Sequence, residues 1–245
     1  MIKKMTDAEY FAHPALNQSA FKNFLVSPWH YKFHQENPKP PTKDMVIGSL
    51  AHLLLLEPDS EWSRIHVIKS KTMTSKEAIA ARETFPPEII VTPEEWIAQA
   101  MLMLDESGIR SVVAGIPEDR REVAAFNTIK GVPIKAKADW IDDEGYICDL
   151  KTTDELDRFR YTWKKYGYHI QAMWYPRAFQ EIDPLGFKIY ALGKNRPHDY
   201  EVFEVSETAL ADAADIIAEN MPYFKECQDA DHWPGKSKEP QLLGE

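Results

Sequence analysis

The sequence predicts a mixed α/β fold: a central β-sheet flanked by helices and preceded by a helical N-terminal arm. Three observations carry that expectation. Residues 122–152 hold three successive alternating or β-branched stretches separated by turn residues. Helix-period segments lie on both sides of them. Apolar residues make up 44% of the 245, enough for one sizeable core.

The elements follow in order. Residues 1–43 read as the helical arm, with Ala15–Ser19 opening a helix on which Phe21, Phe24 and Leu25 share a face. Pro28 restarts the chain, and Pro38, Pro40 and Pro41 break it. Residues 44–57 predict a second helix ending before Pro58. Arg64–Ile68 and Glu88–Val91 are short strands, and a helix with Pro93 near its first turn runs to about Ser107. Glu122–Thr128, Val132–Ile141 and Tyr146–Thr152 form an antiparallel meander, turned at Gly131 and at Asp142–Gly145. One long helix is expected over Glu155–Ala178, then strands Gly186–Leu192 and Tyr200–Val205, then a helix over Glu207–Gln228.

Composition excludes several classes. The two cysteines, Cys148 and Cys227, are too few for a disulfide framework or a four-cysteine zinc or iron–sulfur site. The first ten residues are charged and polar, unlike a signal peptide, and the longest apolar run, Leu50–Leu56, is too short to span a bilayer. A cytoplasmic protein without membrane contact is therefore expected.

The chemistry concentrates in the meander. Asp149 and Lys151 alternate with Leu150 and so share one face of a strand. A carboxylate can bind a hard divalent cation while the lysine orients or activates an attacking water; an ordinary surface ion pair is the bland alternative. Asp139 ends the preceding strand, where hairpin register can bring it beside Asp149; two close carboxylates call for a cation between them. Glu122 can add a third oxygen, with Glu118 as its rival. Gly48 and His52 share a helix face, and the glycine leaves room there for a metal or a DNA backbone. Tyr168, Gln171 and Tyr175 line one helix face, either as core packing or as a grip on substrate near the lysine.

In their order, Gly48/His52, Glu122, Asp139, Asp149/Lys151 and Gln171/Tyr175 resemble the pattern of the RecB-like branch of the PD-(D/E)XK nuclease superfamily. Further stretches are similar to the RecE-like, phage-type exonucleases: Gly48–His52 through Leu56–Pro58, Asp149–Thr153, Tyr168–Gln171, Ser27–Pro28 with Tyr31, and Asp231–Gly235. The resemblance implies a restriction-endonuclease-like core with a central mixed sheet and a single nuclease domain over 1–245 (arm 1–43, core 44–235, tail 236–245). It implies Mg²⁺, with Mn²⁺ able to substitute, held by His52, Glu122, Asp139, Asp149 and the Leu150 carbonyl, and no iron–sulfur cluster. Lys151, Gln171 and Tyr175 would act with those groups in catalysis. It further implies 5′-to-3′ degradation of linear duplex DNA, a ring-like homo-oligomer, and a single-strand annealing protein as partner in a bacterial or phage-infected cell. A non-catalytic DNA-end-binding module, or a nuclease of endonuclease action or other polarity, is the alternative.

The net charge of −10 argues against a nucleic-acid surface only as an average. Residues 158–198 carry eight Lys/Arg against two Asp/Glu, a net +6, whereas residues 199–245 carry three against twelve, a net −9. Arg158, Arg160, Lys164, Lys165 and Tyr168 are therefore the candidates for contact with DNA.

Overall fold

In a computed structural model, residues 2–57, 61–86 and 88–238 are described. Pro58 and residues 239–245 of the expected tail lie outside them.

The arm comprises β1 (Ile2–Lys4), α1 (Asp7–Ala12), β2 (Leu16–Asn17), α2 (Gln18–Val26) and α3 (Pro28–Glu36). Thr6 and Glu9 form a capping box on α1, Asn17 caps α2, and Ser27 caps α3 with Pro28 in its first turn. The arm therefore also supplies strand to the sheet, which the apolar periodicity of its helices does not reveal. Next, α4 (Lys43–Leu56) starts at Thr42 and buries Val46, Ile47, Leu50 and Leu53–Leu56. β3 (Ile65–Ile68), α5 (Lys76–Thr84) and β4 (Ile90–Pro93) follow, with β3 and β4 pairing in parallel as a small separate sheet. α6 (Glu94–Ser107) ends at left-handed Gly108, and α7 (Arg110–Ala114) leads to the main sheet.

That sheet contains β5 (Arg121–Ile129), β6 (Val132–Ile141), β7 (Tyr146–Thr153), β8 (Gly186–Gly193) and β9 (Tyr200–Glu204) in order β1-β5-β6-β7-β8-β9, with β2 beside β6. β5, β6 and β7 form the expected antiparallel meander, but β7 and β8 run parallel, so the sheet is mixed. Parallel neighbours need a crossover, which α8 (Phe159–Thr162) and α9 (Tyr168–Ala178) supply. α10 (Glu207–Ala230) closes the fold.

The crossover corrects the single helix expected over Glu155–Ala178. Gly167 stands between α8 and α9 with φ +73°, a conformation that glycine adopts without steric cost. The Gln18 amide donates to the Gly167 carbonyl at 3.1 Å and fixes the break from the arm. The periodicity of the two helices continues across the break, which is why the sequence reads as one.

Helices cover both faces of the sheet. On one side Phe21, Phe24, Trp174, Ile217 and Phe224 pack against Ala136, Ala138, Ile147 and Ile189. On the other Ile47, Leu50, Leu54, Trp96 and Met103 pack against Trp140, Cys148, Leu150 and Leu192. Both cysteines are buried free thiols. Among the described residues no helix is long and apolar enough to cross a membrane.

Candidate active site

The site lies where β6 and β7 part. Their register holds Trp140 opposite Cys148 and Ile141 opposite Ile147. Beyond those pairs the Leu150 N–H donates to the Asp139 carboxylate at 2.6 Å instead of to a strand carbonyl. An aspartate thus takes over a ladder hydrogen bond and holds a fork open. The same place disturbs β6: Ala136 and Ala138 pack into one core cluster and Trp140, two residues on, into the other, so side-chain alternation slips by a face. Glu122, between pairs Arg121–Trp140 and Val123–Ala138, adopts φ +53°. Such strain in a non-glycine residue persists only where the surroundings impose it.

His52 approaches from α4. Its Nδ1 lies 3.2 Å from Asp139 Oδ1 and its Nε2 3.0 Å from the Leu150 carbonyl oxygen. Burial opposes a charge on the ring, but Asp139 and then Glu122 outweigh it and raise the histidine to about 9. With both partners accepting, both ring nitrogens donate. His52, Glu122 and Asp139 each place a ligand atom within 4.8 Å of the others. Burial, ahead of the Asp139 charge, pushes Glu122 up to about 7, although Lys137 pairs with it and pulls the other way. Burial also acts upward on Asp139, but His52 and Lys151 hold it below the usual carboxylate range.

Asp149 stands on the other branch. The Gln171 amide of α9 donates to its Oδ1 at 2.6 Å. Its buried Oδ2 is paired with the Lys151 ammonium at 2.5 Å. Burial and the nearby Asp139 charge push Asp149 up against the pull of Lys151. Lys151 stays charged: burial works against it, and Asp149 and Asp139 more than compensate. Its Nζ also lies 5.0 Å over the Tyr168 ring. Tyr175 sits beside Gln171 and meets Phe187 edge-on at 5.3 Å; burial lifts its hydroxyl well above the ordinary value.

The structure thus brings His52, Glu122, Asp139, Asp149, Leu150, Lys151, Gln171 and Tyr175 together, with Tyr168 against the lysine. Asp149 falls outside the three-residue ligand group, and Lys151 and Gln171 engage its two oxygens. Glu118 is elsewhere, paired with Lys4 at 2.9 Å on the surface. Arg158, Arg160, Lys164 and Lys165 are exposed on the crossover rather than at the fork. Gly48 faces β7: a Cβ there would meet Thr152 Oγ1 at 3.4 Å, so the residue sits at the helix–strand contact.

One chain of charges was missed. Lys137 bridges Glu122 and Asp7, the latter at 2.7 Å; Arg64 in turn bridges Asp7 at 2.6 Å and Glu57 at 2.5 Å. These residues line a cleft of about 710 Å³ beside the fork. Their spacing in sequence gives no sign of this, because it depends on β1 pairing with β5.

An imidazole nitrogen and clustered carboxylate oxygens form a donor set that a hard divalent cation accepts. Residues 17–244 match the family described as a PDDEXK-like domain of unknown function (DUF3799). The chain belongs to that family. It is also similar over 93% of its length, and 88% of the other chain, to the crystal structure of a protein named "Putative exonuclease" from Eubacterium rectale, with TM-score 0.69 and 16% identity. That likeness is one of fold. A weaker likeness, TM-score 0.32 at 19% identity, covers 71% of this chain and 90% of SSO0001. No curated protein matches in sequence.

Proposed function

We propose that this PDDEXK-like chain is a metal-dependent nuclease that hydrolyses phosphodiester bonds of linear duplex DNA. The carrying observation is the fork itself, where Asp139 and Asp149 stand on diverging strands, His52 and Glu122 converge on the first, and Lys151 is paired with the second. His52, Glu122 and Asp139 would hold Mg²⁺, or Mn²⁺ in its place, with Asp149 and the Leu150 carbonyl completing the set. When bound, the cation supplies a water of lowered pKa and neutralises charge on the phosphoryl oxygens. The chain's own groups do the rest. Gln171 fixes the Asp149 carboxylate through Oδ1. The Lys151 ammonium, charged and anchored between Asp149 and the Tyr168 ring, donates to the attacking water or to the developing negative charge. Tyr175 supports Gln171 from behind.

The finer reading is a RecE-like exonuclease of phage type: a single nuclease domain working 5′ to 3′, in a ring-like homo-oligomer, leaving 3′ overhangs for a single-strand annealing partner in the cytoplasm. The Asp149–Thr153, Tyr168–Gln171 and Asp231–Gly235 stretches support it. End-labelled, 5′-phosphorylated linear duplex with Mg²⁺ tests both levels against a covalently closed circle. Release of label first from the 5′ end, with the circle intact, is the expected result. Cutting of the circle overturns the exonuclease reading, and 3′-first release overturns the polarity.

A further inference from the structure

On the crossover, exposed cations alternate with exposed aromatic rings over 158–168. Most of those cations are already paired with acids: Arg158 with Glu155 at 3.3 Å, Arg160 with Glu201 at 3.6 Å and Lys164 with Asp212 at 3.3 Å. A purely electrostatic grip on phosphates is therefore a poor account of the segment. Its aromatic rings offer a second kind of contact. Tyr161 is 79% exposed and Tyr166 50%. Exposure alone does not set them apart, since Phe11, Trp29 and Trp62 are comparably open.

The rings are also arranged. Tyr166 lies 5.7 Å from Tyr168 with their planes 31° apart. Tyr168 in turn carries the Lys151 ammonium 5.0 Å from its centre, and it stacks on buried Phe159 at 5.8 Å. A line of π-faces thus runs from the surface to the lysine of the fork, backed by the core. The backbone beneath is fixed: Lys22 Nζ donates to the Tyr166 carbonyl at 2.6 Å and Gln18 to that of Gly167 at 3.1 Å. A rigid, exposed ring at the outer end of such a line has the geometry of a stacking platform for bases.

We infer that Tyr166, with Tyr161 on the same segment, stacks unpaired nucleobases and leads a single strand of nucleic acid toward Lys151. The inference rests on the nuclease reading of the fork and adds that the strand arrives unpaired next to the crossover. Every nucleobase has a π-face, so the platform accepts any sequence. It discriminates paired from unpaired bases, since those inside a duplex already stack on each other.

The test is fluorescence anisotropy in EDTA, which stops turnover, with four labelled probes of equal length: oligo-dT, oligo-U, an abasic oligodeoxynucleotide and a blunt duplex. The abasic strand keeps the phosphates and lacks the bases. Wild-type protein should bind oligo-dT roughly tenfold or more tighter than the abasic strand, in line with about 1–3 kcal/mol per stacked base. Tyr166→Ala should remove most of that difference, Tyr161→Ala part of it, and Tyr166→Trp should restore it. Oligo-U shows whether the platform serves RNA as well as DNA. Equal binding of oligo-dT and the abasic strand by wild type, or Tyr166→Ala indistinguishable from wild type, overturns the platform while leaving the nuclease reading standing. Failure to bind any probe, together with no hydrolysis of linear duplex in Mg²⁺, overturns both.

Discussion

The two branches of the fork hold the same kind of group in opposite ways. On the β6 branch, both Asp139 oxygens are satisfied by donors, the His52 ring and the Leu150 N–H, and the carboxyl stays low. On the β7 branch, Asp149 is more deeply buried, has a neutral amide on one oxygen and a lysine on the other, and is pushed up. The difference is one of division of labour. The β6 branch is a ligand cluster kept electrically quiet by a histidine proton and by Lys137. The β7 branch fixes a cation of its own, Lys151, at a set place. Two adjacent carboxylates with opposed environments can thus do two jobs at one phosphate.

The largest effect should separate the branches outright. Lys151→Met leaves the buried Asp149 without its charge partner, a loss of about 3–5 kcal/mol, so metal-free melting should fall by roughly 10 °C. Calorimetry with Mn²⁺ should still find a bound ion in that variant. Asp139→Asn should do the reverse: its amide oxygen still accepts from Leu150 and His52 can shed its proton, so melting falls by less than in Lys151→Met, while Mn²⁺ binding is lost. Equal damage to melting and metal binding by both substitutions would dissolve the distinction.

A smaller effect sharpens it through pH. His52 is raised from 6.5 to about 9, so its contribution to the metal-free fold is whole below pH 6.5 and lost as pH rises through 9. Glu122, raised from 4.5 to about 7, likewise favours its proton in the fold and weakens it as pH climbs from 4.5 through 7. A metal must displace both protons. Mn²⁺ affinity should therefore climb between pH 6 and 9, with a heat that depends on the buffer because protons are released. A flat affinity over that range would place the ion away from this cluster.

The smallest effect concerns Lys137. It neutralises Glu122 and has Asp7 as a second partner, so it competes with a metal for the glutamate. Removing the lysine also lets burial raise Glu122 further, so Lys137→Met should raise Mn²⁺ affinity a few-fold only at pH 9 and above, once the glutamate has lost its proton. A fall in affinity would make the lysine a support for the ligand cluster rather than its competitor.

Much of this centre was legible in the sequence because it depends on short-range rules. Strand alternation places Asp149 and Lys151 on one face, a tight turn returns Asp139 to their side, and helical spacing aligns Tyr168, Gln171 and Tyr175. Other parts needed tertiary information. Glu122 reaches the cluster through a left-handed residue inside a strand, which no propensity favours. The Glu57–Arg64–Asp7–Lys137 chain exists because the arm adds a strand to the sheet. The crossover read as one helix because its periodicity runs through Gly167, whose conformation the arm secures. The mixed sheet was expected from the resemblance, but which strands run parallel was not, since a strand's own sequence does not name its neighbour.

The most direct test of the fork as a hydrolytic centre compares wild type, Asp139→Asn and Lys151→Ala on linear 5′-phosphorylated duplex, with Mg²⁺ and with EDTA. Nucleotide release by wild type in Mg²⁺ alone is expected, with a loss of about 10²–10³-fold or more in each variant. Release by Lys151→Ala at the wild-type rate, or by wild type in EDTA, would contradict a hydrolytic role for the fork.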